Sequence, residues 1–143
     1  MSLRPETQTF IRELERSINK KLLYSFEVAQ LIELSIAGKK IKEFEQLLFD
    51  AKFITQTFGI MKRIGQDGEG YEKLAVEFQA GVQRVSKMLE EFGRDDPHGL
   101  QEMIMQTFTS LDQSSMARLL DLLSDLAEIK NWLLDNKPVP WNP

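Results

Sequence analysis

The sequence predicts an all-α protein: a four- to five-helix, mostly antiparallel bundle forming a single domain over residues 1–136, followed by a short extended C-terminal tail, 137–143. Three observations carry this. Every long segment repeats its apolar residues at the helical period, no stretch alternates as a strand would, and glycine interrupts the pattern at Gly38, between Gly65 and Gly70, and at Gly93.

Pro5, followed by the polar Glu6 and Thr7, opens the first amphipathic segment. Its Phe10, Ile11, Leu14 and Ile18 occupy about 100° of arc, the width of one buried stripe. Between Asn19 and Ser25 the phase slips, because Leu22, Leu23 and Phe26 project from another side; either the helix bends or Ser25 caps a new one. The next stretch, FEVAQLIELSIA, stops or kinks at Gly38, a natural place for a left-handed C-terminal residue. Lys39, Lys40 and Lys42 then crowd a helix start where cations are disfavoured and no capping side chain precedes them. One bent helix from about Ser25 to Ile64 is therefore an alternative to two helices.

The segment from Ile41 to Ile64 carries two apolar stripes. Ile41, Phe44, Leu47, Leu48, Ala51, Ile54 and Phe58 form the expected core face, and Phe49, Phe53, Ile60 and Ile64 form a second. The second is either covered by the N-terminal helix or exposed for a partner, and four large apolar residues in a row make a patch of a few hundred Å², the size at which exposure begins to mark an interface. GQDGEG, from Gly65 to Gly70, reads as a helix–helix turn. It has neither the strand nor the Lys-Ser/Thr pair of a phosphate loop, and it is far shorter than the ~12 residues of an EF-hand calcium loop.

Tyr71, Ala75, Phe78, Val82, Val85, Leu89 and Phe92 alternate spacings of four and three, the seam of a left-handed helix pair, with Val76 on the surface and Gly93 as terminator. Asp96 and Pro97 signal a further helix start. Asp95, Asp96 and His98 are adjacent in that turn and lack a second histidine, so capping is the better reading than metal binding. Leu100, Met103, Ile104, Met105, Phe108 and Leu111 mark a short apolar helix, after which Ser110 or Asp112 caps the helix running from Asp112 to Asn136. In that last helix nine apolar residues, centred on Leu126, span roughly 180° of arc, enough to need two neighbours. Lys130 interrupts this arc with a stem long enough to reach water, while Asp125 and Trp132 fall on the polar side, Trp132 where the tail can cover it. In KPVPWNP three prolines forbid helix and Trp141 is a candidate anchor.

Function is read mainly by elimination. The absence of cysteine removes disulfides and thiolate chemistry, and a single histidine leaves little for metal or acid–base sites. No paired carboxylate–histidine motif, nucleophile elbow or phosphate loop is present, so neither an enzyme nor a cofactor is expected. No apolar run reaches the ~20 residues of a membrane span and the start lacks a signal-peptide core, so the expected location is the cytoplasm. A net charge of −4 disfavours nucleic acid, although Lys39, Lys40, Lys42, Lys62 and Arg63 keep that reading open as a minor one. The leading expectation is a non-enzymatic helical interaction or scaffold module that associates with itself or another protein through Phe49, Phe53, Ile60, Ile64 and Trp141. The alternative is a bundle that binds an apolar small ligand among its nine Phe and six Met residues.

Overall fold

The computed structural model describes residues 4–37, 39–94 and 113–135. These form an all-α bundle of five helices, α1 (Pro5–Ile18), α2 (Ser25–Ala37), α3 (Ile41–Ile64), α4 (Tyr71–Arg94) and α5 (Gln113–Asp135), with no strand among the described residues. The expected helix between Leu100 and Leu111, the caps Ser110 and Asp112, the Asp95–Asp96–His98 turn and the tail with Trp141 lie outside them.

α3 occupies the middle of the bundle. It packs against α2, α4 and α5, whereas α4 and α5 do not pack on one another among the described residues. Its core face is the expected stripe: Phe44, Leu47, Leu48, Ala51 and Ile54 are buried, with Ile41 and Phe58 half-buried beside them. α4 meets this face along its heptad seam, where Phe78, Val82, Val85, Leu89 and Phe92 are buried while Val76 stays in solvent. Phe58 stacks on Phe78 with ring centroids 5.5 Å apart. The two helices approach closely because Gly81 faces Ile54; a Cβ on Gly81 would lie 2.8 Å from Ile54 Cγ1.

α5 lies between α1, α2 and α3. Leu119, Leu122, Leu123, Leu126, Ala127 and Ile129 are buried, so the wide arc fills a groove between several neighbours. Three residues depart from the expected pattern. Leu134, within the arc, is 62% exposed, Asp125 on the polar side is buried, and Trp132 is covered by α1, where Phe10 meets it edge-on with centroids 5.2 Å apart. Lys130 is half-buried, as its long stem allows.

The phase slip after α1 is a true helix end. Asn19 takes a left-handed conformation (φ 57°, ψ 38°), and the N–H groups of Asn19 and Lys20 donate to the carbonyls of Arg16 and Glu15. The open question around Gly38 resolves into two helices rather than one bent helix. Lys39 takes a left-handed conformation (φ 56°), and Lys40 N–H donates to the Ser35 carbonyl at 2.8 Å, while Gly38 itself lies outside the described residues. α4 likewise continues one residue past Gly93, to Arg94. The GQDGEG stretch is the expected helix–helix turn, with Gly65 and Gly70 at φ 81° and 86°, values that favour glycine.

Eight consecutive residues of α2, Val28 to Ser35, are buried, which no single stripe would require. The short α2 is enclosed by α1, α3, α4 and α5, and apolar residues accordingly appear on every side of it.

Two stability predictions follow from this packing. Leu126→Ala is expected to cost about 2 to 5 kcal/mol through lost burial and a cavity, while Ser124→Ala on the half-exposed flank is nearly silent; equal denaturant midpoints for the two variants would contradict the orientation of α5. Gly81→Ala sets a helix-propensity gain of about 1 kcal/mol against an overpacking cost of about 1 to 3 kcal/mol. Because Ile54 is fully buried and cannot swing outward, the variant should unfold at lower denaturant than the native chain. An unchanged or raised midpoint would place α3 and α4 farther apart.

Candidate interaction surface

About 100° of helical rotation per residue puts the core face of α3 on one side and Phe49, Ile60, Phe53 and Ile64 together within about 60° of arc on the other. Among the described residues no helix covers this second stripe. Phe49 is 57% exposed, Phe53 37% and Ile64 36%, and Ile60 is half-buried. The N-terminal helix, the one element of the described chain considered as a cover, packs on α2 and α5 and does not approach α3. Trp141, the other expected partner-binding residue, lies outside the described residues.

The stripe borders the line along which α3 meets α4. On that border Asp50 is buried, accepts a hydrogen bond from Gln46 Nε2 at 3.1 Å and faces the Arg84 guanidinium of α4 at 4.0 Å. On the opposite flank Glu45, Gln56 and Arg63 are exposed. The apolar stripe is therefore framed by polar and charged groups, the arrangement of a core and rim at protein interfaces.

Other candidate chemistry is thinly supplied. No group of three metal-ligating side chains occurs among the described residues, and no described helix is long and apolar enough to cross a membrane. The basic residues do not form one patch: Lys39, Lys40 and Lys42 stand at the start of α3, and Lys62 and Arg63 stand at its end, about 30 Å away at 1.5 Å per residue. Lys62 instead rests its ammonium 5.5 Å above the Phe58 ring. A shallow groove of ≈ 280 Å³ lies between α1 and α2, lined by Ile11, Phe26 and Ala29 with Gln8, Arg12 and Ser25. It falls at the lower edge of the roughly 300 to 1,000 Å³ usual for small-molecule sites.

Like Asp50, two further buried carboxylates were not legible as such in the sequence. Glu33 of α2 accepts hydrogen bonds from Arg4 N–H at 2.9 Å and from the Thr7 hydroxyl at 2.7 Å, so it serves the start of α1, which has no side-chain cap of its own. Asp125 of α5, expected on the water-facing side, is 3% exposed and accepts the Tyr24 N–H at 2.6 Å where α2 begins. Ser25, expected as the cap of that helix, is instead its first residue. Both acids meet helix N-termini, where negative charge is favoured. Their only sequence signal is an acid on a helix that is otherwise apolar on all sides, as for Glu33.

Burial pushes the Asp125 carboxyl above its ordinary value and Asp121 adds to the rise, while the N–H groups of Tyr24 and Leu23 and the Lys20 ammonium oppose it. The folded chain therefore favours the protonated acid. The stability this confers is fully present below the ordinary pKa of 3.8 and is lost as pH rises through the raised value. Asp125→Asn removes the titration, so raising the pH from about 3.5 to 7 should shift stability in favour of the variant relative to the native chain. Denaturant midpoints of both proteins at the two pH values measure this, and a shift in the opposite sense would mean that the hydrogen bonds outweigh burial.

No protein-family model matches this sequence, and no curated protein and no solved structure matches it significantly.

Proposed function

We propose that this protein is a non-enzymatic helical interaction module of the cytoplasm that associates with itself through the Phe49, Phe53, Ile60, Ile64 stripe of α3. The observation that carries the reading is that a helix already supplied with a complete core face carries a second row of four large apolar residues, of which Phe49, Phe53 and Ile64 are exposed and Ile60 half-buried, and which no described helix covers. Apolar area of this kind is removed from water most readily by a second apolar surface. The charged frame around the row supports a protein partner over a membrane or a small ligand, since interfaces between proteins combine an apolar centre with a polar rim.

Size sets the strength of such an association. A phenylalanine contributes roughly 150 to 250 Å² when fully exposed, so the uncovered parts of Phe49, Phe53, Ile60 and Ile64 amount to a few hundred Å². A standard interface buries about 800 Å² per partner. The association belongs in the weak, reversible class unless the flanking polar residues enlarge it.

Phe53→Glu tests the reading. A charge placed on a subunit interface should give a folded protein, unchanged in helical signal, that sediments as a monomer at concentrations where the native chain is larger. Sedimentation of the native chain as a monomer throughout, or a Phe53→Glu protein of native mass, would remove the proposed surface.

A further inference from the structure

We infer that the partner on the stripe is a second copy of this chain, with its α3 antiparallel to the first about a two-fold axis that passes between Gln56 and Thr57. This inference rests on the self-association proposed above and adds its geometry.

The spacing of the stripe residues points to it. Phe49, Phe53, Ile60 and Ile64 lie 4, 7 and 4 residues apart, a pattern that is the same read in either direction. An isologous two-fold interface requires a self-complementary patch, in which one residue contacts a second and that second residue contacts the first in return. Running α3 antiparallel to its copy places Phe49 opposite Ile64 and Phe53 opposite Ile60, each pair occurring twice, so all four side chains find an apolar counterpart. Phe49 and Ile60, like Phe53 and Ile64, are 11 residues apart, close to three full turns, and this keeps the row nearly straight along the helix.

Charge decides the direction. In a parallel two-fold pair the residues on the mid-line of the stripe face their own copies, so the exposed Lys42, which falls on that line, would meet a like charge, while Glu45 and Arg63 would be carried to opposite sides of the seam and could not pair. In the antiparallel pair Arg63 of the second copy faces position 50 of the first. Glu45 and Arg63 share the flank of the stripe opposite Asp50, and five residues separate Glu45 from the facing point, about 7.5 Å along the axis. Two long side chains of opposite sign span that offset, and the pair forms twice by symmetry. Charge complementarity along the flank therefore favours the same orientation as the apolar spacing.

The absence of cysteine from the chain makes the geometry directly measurable. Gln56 is exposed and lies beside the proposed axis, so in Gln56→Cys the two introduced thiols face each other. In Glu45→Cys they stand about 34 Å apart along the helices, 23 residues at 1.5 Å each. The full-length variants are treated with a short bismaleimide and resolved on denaturing gels, with native mass followed by sedimentation. Covalent dimer from Gln56→Cys, none from Glu45→Cys, and loss of the Gln56→Cys product on adding Phe53→Glu is the expected result. Dimer from both single-cysteine variants would mean a parallel pair; it would overturn this inference and leave the self-association reading standing. Dimeric mass without a Gln56→Cys product would place the interface elsewhere and overturn the inference together with the proposed surface. Monomeric mass without crosslinking would overturn the inference and self-association alike.

Discussion

The fold depends on the burial of one wide face of α3. Thr57, Asp50, Met61, Ile54, Leu47, Phe58, Ala51, Phe44 and Leu48 cover about half of the helix circumference, more than one neighbour can cover. α4 and α5 both pack on that face, and among the described residues neither packs on the other. Each therefore owes its place to α3. Gly81 on α4 and the leucines of α5 are the fitting elements: the first lets a backbone approach Ile54, and the second fill the groove that α3 forms with α1 and α2. An arrangement with α3 between two flanking helices leaves its remaining face without a cover among the described residues. The exposed stripe is a consequence of the same packing that builds the core.

The N-terminal helices are fixed by a different device. α1 begins without a local side-chain cap, and acids from neighbouring helices meet backbone N–H groups at the starts of both N-terminal helices: Glu33 of α2 at α1, Asp125 of α5 at α2. A carboxylate buried for this purpose costs solvation, as the raised Asp125 pKa records. The return is positional. An apolar contact between helices tolerates sliding, whereas a carboxylate that must meet a particular N–H group sets the register of one helix against another. α1 is thereby tied to α2 and α2 to α5, while Phe10 against Trp132 closes the same three elements from the other side.

Much of the bundle was readable from periodicity because a helix buried on one side leaves a regular record. The α4 seam, the α1 stripe, the core stripe of α3 and the turn from Gly65 to Gly70 all appear in the structure where the residue spacing puts them. The candidate surface was readable to the same degree. Spacing alone gathers Phe49, Phe53, Ile60 and Ile64 on one line of α3, and what spacing omits is whether another segment covers that line. Boundaries were less legible. Lys39 takes a left-handed conformation after α2 that its residue type does not signal, since a helix end is decided by which carbonyls remain free as much as by which residue is least strained.

The sequence by itself determined the helical class, the faces that each helix must hide and the residue types on the second face of α3, because amphipathic period is a local property of the chain. Only the tertiary structure decided which faces meet. It set Asp125 and Glu33 against helix starts distant in sequence, turned Trp132 toward Phe10, and enclosed α2 on every side. It also left the second stripe of α3 without a cover among the described residues, because α1, the helix that the sequence offered as its cover, packs on α2 and α5 instead. The physical reason is that burial depends on neighbours. A residue's pattern fixes the direction in which it points along its own helix, while the packing of all five helices fixes what it meets there.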